Sequence, residues 1–221
     1  MSGLSDRDIA ETVQRYTDRY ETFGYSPMTL GWNKGRQHIR FEALTSLFPL
    51  KGKRILDIGC GFGDLNTLLV DTCGDDYQYL GIDLVPSLVA EAKVRWQRPN
   101  VEFLVGDFLK TDFKVPFDIA IASGIFNHRL SAGDNYEVIH ATIARTFSLV
   151  KDGLAFDFLS DQVDFTHAHT FHSAPSRLLQ MAYGFSRKVV LRNDYLPFEF
   201  AIFVSHAEVD KETSTYLRSQ P

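Results

Sequence analysis

The chain has 221 residues, 44% hydrophobic and 23% charged, which is ordinary globular composition and enough for one α/β domain with a full core. A formal charge of −5 argues against broad contact with phosphate backbones, and no run approaches the roughly 18 apolar residues of a membrane span, so neither nucleic acid nor a membrane is an expected partner. The opening MSGLSDRDIAETVQRY has no signal-peptide core and Cys60 and Cys73 make no disulfide framework, so a reducing cytoplasm is the expected compartment.

Residues from Ser5 to Glu21 predict a polar amphipathic helix, followed by the glycine-punctuated loop TFGYSPMTLGWNKG. In RQHIRFEALTSLF, Ile39, Ala43, Leu44 and Leu47 recur at helical spacing, and Pro49 closes that segment. A regular alternation then begins. RILDIG, YQYLGID, VEFLVGD, FDIAIAS and GLAFDFLS read as strands. DLNTLLVDT, VPSLVAEAKVRW, NYEVIHATIARTFSLV and SAPSRLLQMAYGF read as helices. RKVVLRNDYLPFEFAIFVSH reads as two strands joined by a turn, an antiparallel addition at one end. Strands alternating with helices predict a doubly wound, mostly parallel sheet, with extra helices at the N-terminus. Residues 1–50 would form a helical cover over the site, and residues 51–221 the main domain. In such sheets ligands bind beyond the carboxyl ends of the strands, which draws attention to Asp57, Asp83 and Asp107.

ILDIGCGFGDL, residues 55 to 65, places glycines at 59, 61 and 63, where a chain can turn tightly and bare backbone can meet a ligand. The spacing is one short of the dinucleotide G-x-G-x-x-G, and no Gly-Lys-Ser/Thr follows for a P-loop. Asp57 and Asp64 flank the turn and would repel a pyrophosphate but not an ammonium. Asp83 lies twenty positions after Gly63, the offset at which an acid accepts from ribose hydroxyls. Asp107 in VGDF could accept an adenine amino group while Phe108 packs on the ring. Ribose, adenine and an ammonium without phosphate describe S-adenosylmethionine.

With ILDIGCGFGDL, YLGIDL, VEFLVGDF and FDIAIASGIF in that order, the chain resembles the class I S-adenosylmethionine-dependent methyltransferases of the small-molecule type. The resemblance implies a seven-stranded sheet whose last strand is antiparallel. It also implies cofactor contacts from Asp57, Gly59, Cys60, Gly61 and Gly63 at the methionine end. Asp83 and Leu84 would meet the ribose, Asp107 and Phe108 the adenine, and Ser123 would stand at the fourth strand's end. The LGWNKGRQHIRFEAL segment resembles the part that, in some small members, covers the cofactor and builds the acceptor pocket. There Gln37 and Arg40 share one helix face, and Arg40 could pair with the cofactor's carboxylate. Trp32 and Phe41 could equally be packing residues.

SGIFNHR carries no Asn/Asp-Pro-Pro-Tyr/Phe of the kind found in enzymes that methylate base amines. Ser123 and Gly124 occupy the place of a catechol-type magnesium acid. His128 and His172 are candidates for a general base toward an acceptor hydroxyl or amine. His167, His169 and His172 with Asp161 and Asp164 fit no metal-site spacing, so no metal is expected. Phe126, Phe165, Phe171 and Tyr195 could wall the acceptor pocket, although core packing is their default. The expectation is a methyltransferase acting in line on an oxygen or nitrogen of a small-molecule acceptor, as a monomer or homodimer. A non-catalytic cofactor-binding subunit and an aminopropyltransferase-like enzyme are the alternatives.

Overall fold

The computed structural model describes residues 3–31 and 35–206; Trp32 lies outside them. Helices α1 (Asp6–Phe23) and α2 (Gln37–Thr45) precede β1 (Lys53–Ile58), α3 (Leu65–Cys73), β2 (Tyr77–Asp83), α4 (Pro86–Arg95) and β3 (Val101–Val105). Then come β4 (Phe117–Ala122), α5 (Asn135–Leu149), β5 (Val150–Leu159), α6 (Pro175–Tyr183), β6 (Val189–Arg192) and β7 (Glu199–Ser205). The seven strands form one sheet in the order β3-β2-β1-β4-β5-β7-β6. Pairing is parallel from β3 through β5, and β7 runs antiparallel to both β5 and β6. This is the doubly wound sheet with an antiparallel last strand that the alternation and the resemblance predict.

Strand periodicity divides the core. Ile55 faces one cluster, with Leu44, Leu65, Leu69, Val89 and Ala92, while its neighbour Leu56 faces the other, with Ile139, Ile143, Phe156 and Leu178. Thus α2, α3 and α4 cover one face of the sheet and α5 and α6 cover the other. Because β1, β4 and β5 are buried on both faces, they read as unbroken apolar runs rather than alternating ones. The chain turns from one face to the other between β1 and β4, so a cleft opens beyond the carboxyl ends of these strands.

Helix α1 crosses that cleft. The Ser5 hydroxyl caps it by accepting from the Asp8 amide at 3.1 Å. At one end, buried Asp8 accepts from the amides of Ser131 and Ala132 on the β4–α5 connection, at 2.8 and 3.2 Å. At the other, the Tyr20 hydroxyl donates to Glu91 of α4 at 2.8 Å. α2 is shorter than its periodicity predicts: the Thr45 hydroxyl donates back to the Phe41 carbonyl at 2.7 Å as the helix ends. Leu47, expected on the buried face, is consequently 50% exposed. No helix of the described residues is long and apolar enough to cross a membrane.

Candidate functional site

The loop after β1 is held from below by β2. The amides of Gly59 and Cys60 both donate to the Ile82 carbonyl, at 2.8 and 3.2 Å. The Gly61 amide donates to Asp83 Oδ2 at 2.8 Å, and the Val85 amide to Asp83 Oδ1 at 2.9 Å. Gly59, Gly61 and Gly63 have φ of 73°, 53° and 72°, values that side chains with a Cβ rarely adopt. A Cβ at Gly59 would stand 2.1 Å from Ile125 Cγ2, and one at Gly63 would stand 2.6 Å from the Phe103 ring. Turn conformation and close approach both demand glycine here.

One cavity runs along the strand ends. Gly59, Cys60 and Gly61 line it from the loop, Asp83, Leu84 and Val85 from the end of β2, and Gly106, Asp107 and Phe108 from the end of β3. Ser123, Gly124, Ile125, Phe126 and His128 line it beyond β4, and Gln37 closes one side. Thr12, Arg15 and Tyr16 of α1 form its roof. Burial pushes the Asp83 carboxyl above its usual range, against the amides of Val85, Gly61 and Leu84, which favour its charge. Asp107 Oδ1 accepts from the Leu109 amide at 2.9 Å. Asp107 Oδ2, by contrast, is buried without a hydrogen-bond partner among the described residues; the Lys110 ammonium stands 3.7 Å away. A buried acceptor left unpaired is costly, and a ligand's N–H group at that point would satisfy it.

Residues 55–153 match the family model of the methyltransferase domain. That stretch has the pattern of a methyltransferase domain. The chain is 35% identical over 72 residues to malonyl-(acyl-carrier protein) O-methyltransferase of Acetivibrio thermocellus, a match covering 33% of this chain and 25% of that protein. The chain spans between a quarter and about half the length of the curated relatives that it matches. Among solved structures, magnesium protoporphyrin IX methyltransferase of Synechocystis PCC 6803 with bound S-adenosylhomocysteine superposes with a TM-score of 0.66 at 14% identity, over 90% of this chain and 100% of that one. The DhpI complex with S-adenosylhomocysteine gives 0.66 at 16% identity, over 92% and 97%. At such identities the likeness is one of fold.

Four expected site residues fall outside the cavity wall. Asp57, only 4% exposed, lies beneath the loop and accepts from the Tyr79 hydroxyl at 2.7 Å. Burial pushes its carboxyl up to about 7, against the Tyr79 hydrogen bond, with Asp83 and Asp64 adding to the rise. Gly63 lies outside the cavity wall, where a Cβ would meet Phe103 and Trp96. Arg40 is 6% exposed and pairs with both carboxylate oxygens of Glu199, its Nε standing 2.6 Å from Oε2 and 3.9 Å from Asp157 Oδ2. Asp157 in turn accepts from the Ser123 hydroxyl at 2.7 Å and the Gly124 amide at 2.6 Å. Burial raises Asp157 to about 6, against the opposing charge of Arg40. Arg40 therefore braces the turn after β4 from behind and does not line the cavity.

The fourth is His172. Its Nδ1 lies 2.7 Å from the Ser160 carbonyl and its Nε2 3.0 Å from the Thr170 hydroxyl, so both ring nitrogens hold the loop together. His128 does line the cavity, with Nε2 2.5 Å from Arg15 Nη2. Burial first, and then the Arg15 charge, lowers its pKa and favours the neutral imidazole. His167 and His169 are exposed, and among the described residues no cluster of His, Cys, Asp and Glu could hold a metal. Of the aromatic pocket walls, Phe126 lines the cavity, Phe165 is 60% exposed, Phe171 packs on Tyr136, and Tyr195 is half-buried near Arg40. Thr12, Arg15 and Tyr16 were not legible as site residues. Their spacing puts them on one face of α1, but nothing local says what that face meets.

Proposed function

We propose that the chain is an S-adenosylmethionine-dependent methyltransferase that acts on a small-molecule acceptor. The observation that carries this reading is the buried Asp107 Oδ2, without a hydrogen-bond partner among the described residues, which belongs to one cavity with Phe108, Asp83 and the glycine loop. The residues present fit the cofactor. Gly59 and Gly61 offer backbone without Cβ atoms, Asp83 keeps lone pairs beyond its amide bonds for ribose hydroxyls, and Asp107 Oδ2 suits an adenine amino group. Cys60 and Leu84 would pack beside them. Pyrophosphate is a poor match for a cavity that holds the carboxylates of Asp83 and Asp107.

Bound S-adenosylmethionine would supply an electrophilic sulfonium methyl whose leaving group is already activated. The chain's own groups then have to align the acceptor with it, about 3–3.5 Å away, and exclude water. Ser123, Gln37, Arg15 and His128 are the polar cavity groups that the adenosine contacts leave for the methionine portion and the acceptor. α1 supplies the roof that keeps water out, which supports reading residues 1–50 as a cover over the domain that follows. The name of one curated relative, malonyl-(acyl-carrier protein) O-methyltransferase, supports methyl transfer to oxygen.

The test is calorimetric titration with S-adenosylmethionine, S-adenosylhomocysteine and NAD. The first two should bind and NAD should not, and Asp83→Ala should weaken binding by about tenfold or more, roughly 1.4 kcal/mol. Asp107→Ala should erase the preference for S-adenosylhomocysteine over its inosine counterpart, which lacks the amino group. Binding of NAD alone, or of nothing, overturns the reading.

A further inference from the structure

Among the described residues, Arg15 is the cation of the cavity wall. Its guanidinium meets the Nε2 of His128, and no ion pair joins it to a carboxylate among the described residues. A guanidinium carries five N–H donors and stays charged at any working pH. A neutral imidazole takes one donor and none of the charge. The carboxylates that share the cavity, Asp83 and Asp107, stand at the ends of β2 and β3, each tied to its own local amides. The walls around them are largely apolar, with Leu4, Leu30, Ile125, Phe126, Leu130 and Val138. A charge in such surroundings calls for an opposite charge, and guanidinium suits a carboxylate best.

That carboxylate has two possible sources, the cofactor's amino-acid end or the acceptor. The partner of Arg15 lies away from the adenosine end, and the test below separates the two sources. His128 belongs to the β4–α5 connection, on the far side of β1 from the strand ends that carry Asp83 and Asp107. The Asn135 amide holds that connection in place by donating to the His128 carbonyl at 2.8 Å while its Oδ1 accepts from the Leu130 amide at 3.1 Å. We propose that the acceptor is a small, largely apolar carboxylic acid, held by its carboxylate on Arg15 beside His128. This rests on the methyltransferase reading and names the substrate class of the same cavity. It makes Arg15 a specificity residue and His128 the group that aims it.

The probes are benzoate and phenylacetate, with benzamide and benzylamine as matched uncharged and cationic shapes, titrated into the protein with and without S-adenosylhomocysteine. The two acids should bind at least about tenfold more tightly than the amide and the amine, a difference of roughly 1.4 kcal/mol. Arg15→Gln should abolish that preference and Arg15→Lys should retain part of it, each with an unchanged melting temperature. A second arm compares S-adenosylhomocysteine with 5′-methylthioadenosine, which lacks the amino-acid end; Arg15→Gln should leave both affinities as they were. Absence of any acid preference in the wild type overturns the proposal. So does a loss of S-adenosylhomocysteine affinity alone in Arg15→Gln, which would give Arg15 to the cofactor's carboxylate. If the wild type binds no S-adenosylhomocysteine, the methyltransferase reading falls, while acid binding that Arg15→Gln removes would leave the anion site standing.

Discussion

Gly59 has room for no side chain, because its φ is 73° and a Cβ would stand 2.1 Å from Ile125. Gly59→Ala should cost about 1–2 kcal/mol for the left-handed backbone alone, with more from displacing Ile125, and should abolish S-adenosylhomocysteine binding; a thermal melt and a titration read both. Asp57 makes a different prediction. The folded protein holds its proton up to about pH 7, whereas the ordinary value is 3.8. Between these values the native state binds more protons than the unfolded chain, so stability falls as pH rises through that window, by up to about 1.4 kcal/mol per unit. Asp57→Asn should flatten that slope and make the protein more stable than wild type at pH 8 but not at pH 4, as measured by chemical denaturation. Asp157, raised to about 6, would leave a residual slope below that pH. The three glycines and the acids at the ends of the first three strands were legible in the chain. That Asp57 lies under the loop while Asp107 faces the cavity was not, since both simply end strands.

At the scale of elements, α1 was legible as a helix from its polar periodicity and the Ser5 cap, but its task as a roof was not. That task depends on Asp8, whose Oδ1 takes two amides of the β4–α5 connection and whose Oδ2 accepts from the Ser5 hydroxyl at 2.6 Å. Asp8→Ala leaves those amides without their partner, at a cost of about 1–3 kcal/mol. The expected result is faster hydrogen exchange in α1 and faster release of S-adenosylhomocysteine, while the amides of β1 and β4 keep their protection. Equal loosening of sheet and helix would show that Asp8 serves global stability instead. The glycine loop is the opposite case: its residues announce their own geometry, because a positive φ is a local demand.

Across the whole molecule, Arg40 joins α2 to the far strands, pairing with Glu199 of β7 and approaching Asp157 of β5. Asp157 then holds Ser123 and Gly124 where they line the cavity. Removing the cation leaves two acids buried beside each other. Arg40→Ala should therefore cost about 3–5 kcal/mol of stability, read by chemical denaturation, and Arg40→Ala with Glu199→Ala should cost less than the sum of the two single changes.

Hydropathy period, glycine placement and terminal acids are properties of short stretches, governed by backbone sterics and by which face of an element must be buried. They determined the order of helices and strands, the parallel sheet with its antiparallel end, and the loop at residues 59–64. The choice among chemically equal residues was decided only by the fold. Arg15 rather than Arg40 faces the cavity, and His128 rather than His172 does, because each side chain's surroundings come from segments far away in the chain, such as Glu199 against α2 and His128 against α1. Burial and pairing depend on those partners, and no local pattern encodes them.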